Sequence, residues 1–196
     1  HYDYVPPGRW AHEFDPDYTG SLDGRDYYFN PRIWDEANQR RVVNDPDLEH
    51  IVALYRGEIG WVDEQIGRVL DELRANGRLE RTLIVVASDH GEEFFEHGLR
   101  GHKLTLYDES LRVPLLIVLP EALRRSPPPA VEAQVSLSDV LPTVLDYAGI
   151  APPRTVFGRS LRPALEGRAF DSGPEVSSLP LFTHPPGGER LVVVND

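Results

Sequence analysis

A chain of 196 residues with a formal charge of −12 is long enough to bury a real core and too acidic to suit a nucleic acid, which needs clustered Lys and Arg. A small anionic substrate stays possible, because it responds to the local field of a pocket. The lack of cysteine removes disulfides, thiolate zinc sites and a cysteine nucleophile, and no apolar run reaches the roughly eighteen residues that would span a membrane. The chain opens at His1 with no export signal, which reads as a fragment or a processed product and leaves the compartment undecided.

Residues 1–49 are rich in Pro, Gly, Asp and aromatics without a sustained period, so they predict an irregular segment whose aromatics lie on a neighbouring core. From His50 to Asn76 the apolar residues Tyr55, Ile59, Val62, Ile66, Val69, Leu70 and Leu73 step by three and four, one face of a long helix. Gly77 sits where a left-handed C-cap belongs. After a short link, "TLIVVAS" has the continuous β-branched composition of a strand covered on both faces, and "VPLLIVLP", 113–120, is a second. "SLSDVLPTVLDYAGI" predicts another helix, capped by Ser136 or Ser138, with Pro142 in its first turns and Gly149 closing it. A loop with a short helical turn follows. Pro, Ser and Gly then dominate from Ala169 to Gly188, before "RLVVVND" begins a strand. The class is α/β.

Ligands of open α/β sheets bind beyond the carboxyl ends of strands, where Asp89 and His90 stand. A turn there, helped by Gly91, can bring a carboxylate and an imidazole to one divalent ion. Taken alone, the same Asp-His-Gly is more often a left-handed turn or a helix cap than a metal site, and spacing by itself is only a weak hint. Glu92, Glu93 and Glu96, taken alone, read as a solvated face, and His97 as a surface or cap residue. Lys103 is the only lysine; a compact ammonium suits one oxygen of a sulfate or phosphate ester, and chance is the competing explanation.

The succession "YRGEIGWVDEQIGRVLDELRANGRLERTLIVVASDHGEEFFEHG", "GHKLTLYDESLRVPLLIVLP", "SDVLPTVLDYAGI" and "FGRSLRPALEG" resembles the C-terminal part of a sulfatase catalytic domain, within the alkaline-phosphatase-like superfamily. The opening "HYDYVPP" resembles the family's His-x-Pro-Tyr-x-x-Pro segment, with Asp3 in place of the proline. The resemblance implies a mixed or mostly parallel sheet flanked by helices, present here in part. It implies a catalytic-domain portion over residues 1–168: an irregular substrate-side segment at 1–49, a helix at 50–77, and metal- and anion-site strands at 82–120. The start of a C-terminal subdomain would follow at 169–196.

The resemblance also implies roles. Asp89 and His90 match the family's second pair of metal ligands, where many members have Asn in place of His90. Lys103 matches a lysine that contacts the sulfate, His1 a histidine that reaches the ester, and His102 a histidine near the site. The ion would most often be calcium, with manganese or zinc open because of the imidazole. The family nucleophile, commonly a formylglycine made from the Cys or Ser of a Cys/Ser-x-Pro-x-Arg motif, has no counterpart in these residues; neither has the first pair of aspartate ligands. The expectation is therefore a partial sulfatase that hydrolyses a small anionic ester only with the rest of its site, and that pairs with that half or self-associates through exposed strand edges. A phosphoester or phosphonate monoester hydrolase of the same superfamily, and a non-catalytic module, are the alternatives.

Overall fold

The computed structural model describes residues 3–102, 105–124 and 131–171, and the backbone of two strands at 175–180 and 190–195. In chain order the strands are β1 (Trp34–Asp35), β2 (Arg40–Arg41), β3 (Ile84–Ala87), β4 (Glu93–Phe94), β5 (Arg100–Gly101), β6 (Leu115–Val118), β7 (Glu175–Pro180) and β8 (Arg190–Asn195). The helices are α1 (Asp45–Ala75), α2 (Asp108–Leu111), α3 (Val140–Tyr147) and α4 (Arg162–Leu165). The chain divides into two compact units: His1–Gly77 with Glu92–Thr105, and Arg78–Gly91 with Leu106–Asp196.

The first unit is built on α1. The helix starts at Asp45, earlier than the apolar period indicates, because Asn44 caps it: the Asn44 side chain accepts the Asp47 backbone N–H at 2.8 Å. Pro46 and two aspartates fill the first turn, where a missing N–H and negative charge are both tolerated. The helix ends as expected, with Gly77 at φ +60° just beyond the Asn76 cap. Its buried face is His50, Ile51, Ala53, Leu54 and Gly57, whereas Ile59 and Val69 of the predicted stripe are 54% and 61% exposed.

The irregular N-terminal segment supplies the partner for that face. Tyr4, Leu22, Tyr27, Ile33 and Val43 join Ile51 and Leu54 in one core, with Tyr55 and Phe94 packed against it. Burial of each such side chain contributes about 1.5–3 kcal/mol, so a segment with little regular structure is held by its aromatics. Two glycines admit it to the helix surface. A Cβ on Gly57 would meet the Trp10 carbonyl oxygen at 2.4 Å, and one on Gly60 would meet the Trp10 ring at 2.3 Å. Glu58 then accepts the Val5 N–H at 2.9 Å, and Glu64 accepts the Trp10 indole N–H at 3.1 Å. The β4–β5 hairpin closes the unit, with Phe95 and Gly98 at positive φ in its turn.

In the second unit β3 and β6 pair antiparallel over four rungs, from Ile84↔Val118 to Ala87↔Leu115. All four strand pairs among the described residues are antiparallel, the kind of pair a mixed sheet contains. The pair is not covered on both faces, as its composition suggests: Leu116 is 55% exposed. The predicted cap is present as a capping box, in which Ser136 accepts the Ser138 N–H at 3.3 Å and buried Asp139 accepts the Ser136 N–H at 3.0 Å. Pro142 lies in the first turn of α3, and Gly149 follows the helix at φ +70°. Thr143 accepts the Leu161 N–H at 2.8 Å, and Arg162 on α4 bridges Asp146 and Glu166 at 3.0 and 2.8 Å. The Pro- and Ser-rich stretch after Ala169 contains a strand after all: β7 pairs with β8 over six rungs, a distant partner that local composition does not reveal.

Candidate metal and ester site

Asp89 and His90 stand immediately beyond β3, in a turn pinned by its neighbours. The Ser88 N–H reaches the Pro114 carbonyl at 3.3 Å, and the Ser88 hydroxyl donates to the His90 carbonyl at 2.6 Å. The Gly91 N–H donates to the Ser110 carbonyl at 2.8 Å. Glycine is required at 91 for space and not for a left-handed conformation: an added Cβ would lie 1.8 Å from the Glu109 carbonyl oxygen.

Within this turn the two side chains converge. His90 Nδ1 lies 2.8 Å from the Gly91 carbonyl oxygen, and an acceptor-only partner makes Nδ1 the protonated nitrogen of the neutral ring. Nε2 then carries the lone pair, and it lies 3.7 Å from Asp89 Oδ1. Two donors of this spacing can share one ion, since oxygen and nitrogen ligands sit about 2.0–2.6 Å from a divalent cation. A backbone carbonyl holding the second ring nitrogen is also the usual support of a metal-ligating histidine. Asp89 is 84% exposed in its side chain, and its Oδ1 also accepts the His90 backbone N–H at 3.1 Å. Among the described residues no group of three or more His, Cys, Asp or Glu converges on a single cation position.

His102 belongs to the first unit. Its side chain is 7% exposed, and Nδ1 lies 3.0 Å from Oε2 of Glu92, itself 4% exposed. The pairing follows from register. Glu93 faces Gly101 and Phe94 faces Arg100, so Glu92 and His102 stand opposite one another just beyond the end of this antiparallel ladder. Glu92 and Glu93 are thus buried, which corrects the reading of the glutamates as a solvated face; Glu96 and His97 are exposed, as read. Burial of Glu93 is made tolerable by three donors: the N–H groups of His97 and Leu99, each at 3.2 Å, and the Thr105 hydroxyl at 2.8 Å. Burial pushes the Tyr4 and Tyr27 phenols far up, and the nearby Glu92 charge adds to both.

His1 and Lys103 lie outside the described residues. Two cavities of the first unit, of about 920 and 690 Å³, are lined by none of Asp89, His90 and His102. Arg100, unremarked in the sequence, is buried between the rings of Tyr28 and Trp34, 4.5 Å from each centroid, and donates to the Tyr28 carbonyl. Burial lowers its pKa, and its place is structural.

Comparison with known proteins gives a consistent family. The sulfatase family model matches residues 10–150. Arylsulfatase K of Xenopus laevis is 36% identical over 121 residues, covering 62% of this chain and 22% of that protein. N-acetylglucosamine-6-O-sulfatase of Bacteroides thetaiotaomicron is 42% identical over 113 residues, covering 57% and 20%. Among solved structures, a phosphonate monoester hydrolase from Silicibacter pomeroyi superposes with a TM-score of 0.70 at 30% identity, over 100% of this chain and 40% of that one. The chain spans about a fifth of the length of the two curated relatives. These neighbours have the α/β, alkaline-phosphatase-like fold expected, of which this chain carries a part. A family match that runs through most of the sequence, with sulfatases among its relatives, establishes that this protein belongs to the sulfatase family.

Proposed function

We propose that these residues are the C-terminal part of a metal-dependent hydrolase of sulfate esters. The reading is carried by the turn after β3, where His90 Nε2 and Asp89 Oδ1 stand 3.7 Å apart with the other ring nitrogen tied to a carbonyl. Asp89 and His90 would hold the ion; calcium is the first candidate, with manganese or zinc next. Bound there, a divalent cation supplies Lewis-acid stabilisation of ester charge and lowers the pKa of a nucleophile. Lys103 and His1 would bind the ester oxygens, placing positive charge where negative charge grows. His102 would hold or deliver a proton on the leaving-group side. The nucleophile, a formylglycine by family resemblance, would come from outside these 196 residues, which by themselves are expected to show no turnover.

In the full-length protein, Asp89→Ala should abolish metal binding and activity together, read by metal stoichiometry and nitrophenyl sulfate hydrolysis. Retained stoichiometry refutes the assignment. Lys103→Ala should lower turnover by roughly ten- to a thousandfold, as loss of one electrostatic group does, and an unchanged rate rejects its role.

A second reading has its own support. A structure that superposes over the whole chain is a phosphonate monoester hydrolase, so the same residues could serve a phosphonate or phosphate ester. Parallel assays with nitrophenyl sulfate, nitrophenyl phosphate and a phenylphosphonate monoester discriminate the two by kcat/KM.

A further inference from the structure

Three buried oxygens of the first unit, Glu92 Oε1 and the hydroxyls of Tyr4 and Tyr27, make no hydrogen bond of ordinary length among the described residues, although the Tyr4 hydroxyl is directed at the Glu92 carboxylate. Each such group costs about 1–3 kcal/mol when left unpaired, so a cluster of them calls for an explanation. The three are neighbours. The Tyr4 and Tyr27 rings lie 4.9 Å apart, and both phenols sense the Glu92 charge. The other oxygen of that carboxylate holds His102 Nδ1 at 3.0 Å. A carboxylate buried to this degree for packing alone would be replaced to advantage by an apolar side chain. Retained as it is, it fixes the ring it touches.

We propose that Glu92 is a positioning residue for His102: it sets the imidazole with Nδ1 protonated and Nε2 as the basic nitrogen, while its other oxygen stands near the Tyr4 and Tyr27 phenols. A carboxylate only accepts, so the nitrogen facing it must donate, and the neutral ring has one tautomer left to it. The hairpin register delivers Glu92 to this place, and the 7% exposure of His102 prevents the ring from turning over freely. For an ester hydrolase the consequence is a histidine that accepts or returns a proton at a single, defined nitrogen. This role rests on the proposed hydrolase reading.

The test uses the full-length protein carrying 15N-labelled histidine, with the His102 signals identified by their loss in His102→Gln. Above the titration of the ring, the spectrum should show the Nδ1–H tautomer; an Nε2–H ring overturns the proposal. Glu92→Gln, whose amide oxygen still accepts from Nδ1, should keep that tautomer and retain kcat within about threefold. Glu92→Leu should yield a mixed tautomer and lower kcat by about 10- to 100-fold, the range seen for lost supporting contacts, with KM changed less than threefold. Where the Leu variant does not fold, Glu92→Asp, which withdraws the carboxylate by one methylene, should show the same split. An unchanged kcat in a folded Leu or Asp variant overturns the proposal. A wild-type protein that hydrolyses no ester refutes the hydrolase reading while the tautomer is still read. One that hydrolyses esters with an Nε2–H ring refutes the positioning role alone.

Discussion

Single residues in the β4–β5 hairpin show how one position can reverse its expected environment. Glu93 is fully buried, and its carboxylate gathers two N–H groups and the Thr105 hydroxyl. Replacing it with leucine of similar size leaves three donors unpaired, so Glu93→Leu should lower the stability of the folded protein by about 3–5 kcal/mol, measured by urea unfolding. Tyr27 offers a test whose sign decides. If its buried hydroxyl shares a water with Glu92 and Tyr4, Tyr27→Phe should lower the melting temperature; an unsolvated hydroxyl would make the same change neutral or stabilising. We expect the decrease, because a buried site with three polar partners is the kind that holds water. Gly91 teaches a related point: the sequence suggested freedom of φ, but the structure requires absence of a side chain.

At the scale of elements, what could be read in advance followed the range of the interactions involved. The end of α1 at Gly77 and the capped 3-10 turn at Leu137–Asp139 that leads into α3 depend on residues within one turn, and both appear where the sequence puts them. The start of α1 was equally local, signalled by Asn44, Pro46 and Asp47, but lies ahead of the apolar period that draws the eye. Asn44→Ala should therefore cost about 1 kcal/mol and fray the first turn, seen as faster amide exchange at Asp47 and Leu48. The hairpin behind the Glu92–His102 pair was missed because its strands have two residues each, too short for a period of two to show. Once its register is known, the pair follows from counting rungs.

At the scale of the molecule, Glu58 and Asp146 should answer pH in opposite senses. Burial holds the Glu58 carboxyl of the first unit above its ordinary range. The folded state then binds the proton more tightly than the unfolded one, so this group's contribution is greatest at low pH and declines as pH rises past about 4.3, the unfolded glutamate value. In the second unit hydrogen bonds from Ser160 and Arg162 hold Asp146 below its ordinary range. Its contribution is complete above about pH 4, the unfolded aspartate value, and is lost as pH falls through its lowered pKa. Unfolding midpoints measured from pH 3 to 7 should show Glu58→Gln removing a loss of stability on the alkaline side and Asp146→Asn removing a gain. Identical slopes in both variants and the parent would contradict the assignment.

The sequence by itself determined the α/β class, the long helix with its glycine stop, the capping box, and the order of motifs that places the chain among sulfatases. Those depend on near neighbours in the chain, or on motifs whose succession is specific when taken together. Only the tertiary structure decided which glutamates are buried and which stretch of α1 faces the core. It also set the 3.7 Å approach of Asp89 to His90 and the partner of His102. Burial and pairing of charge depend on residues tens of positions away, such as Tyr4 and Tyr27 beside Glu92, and no local pattern records that proximity.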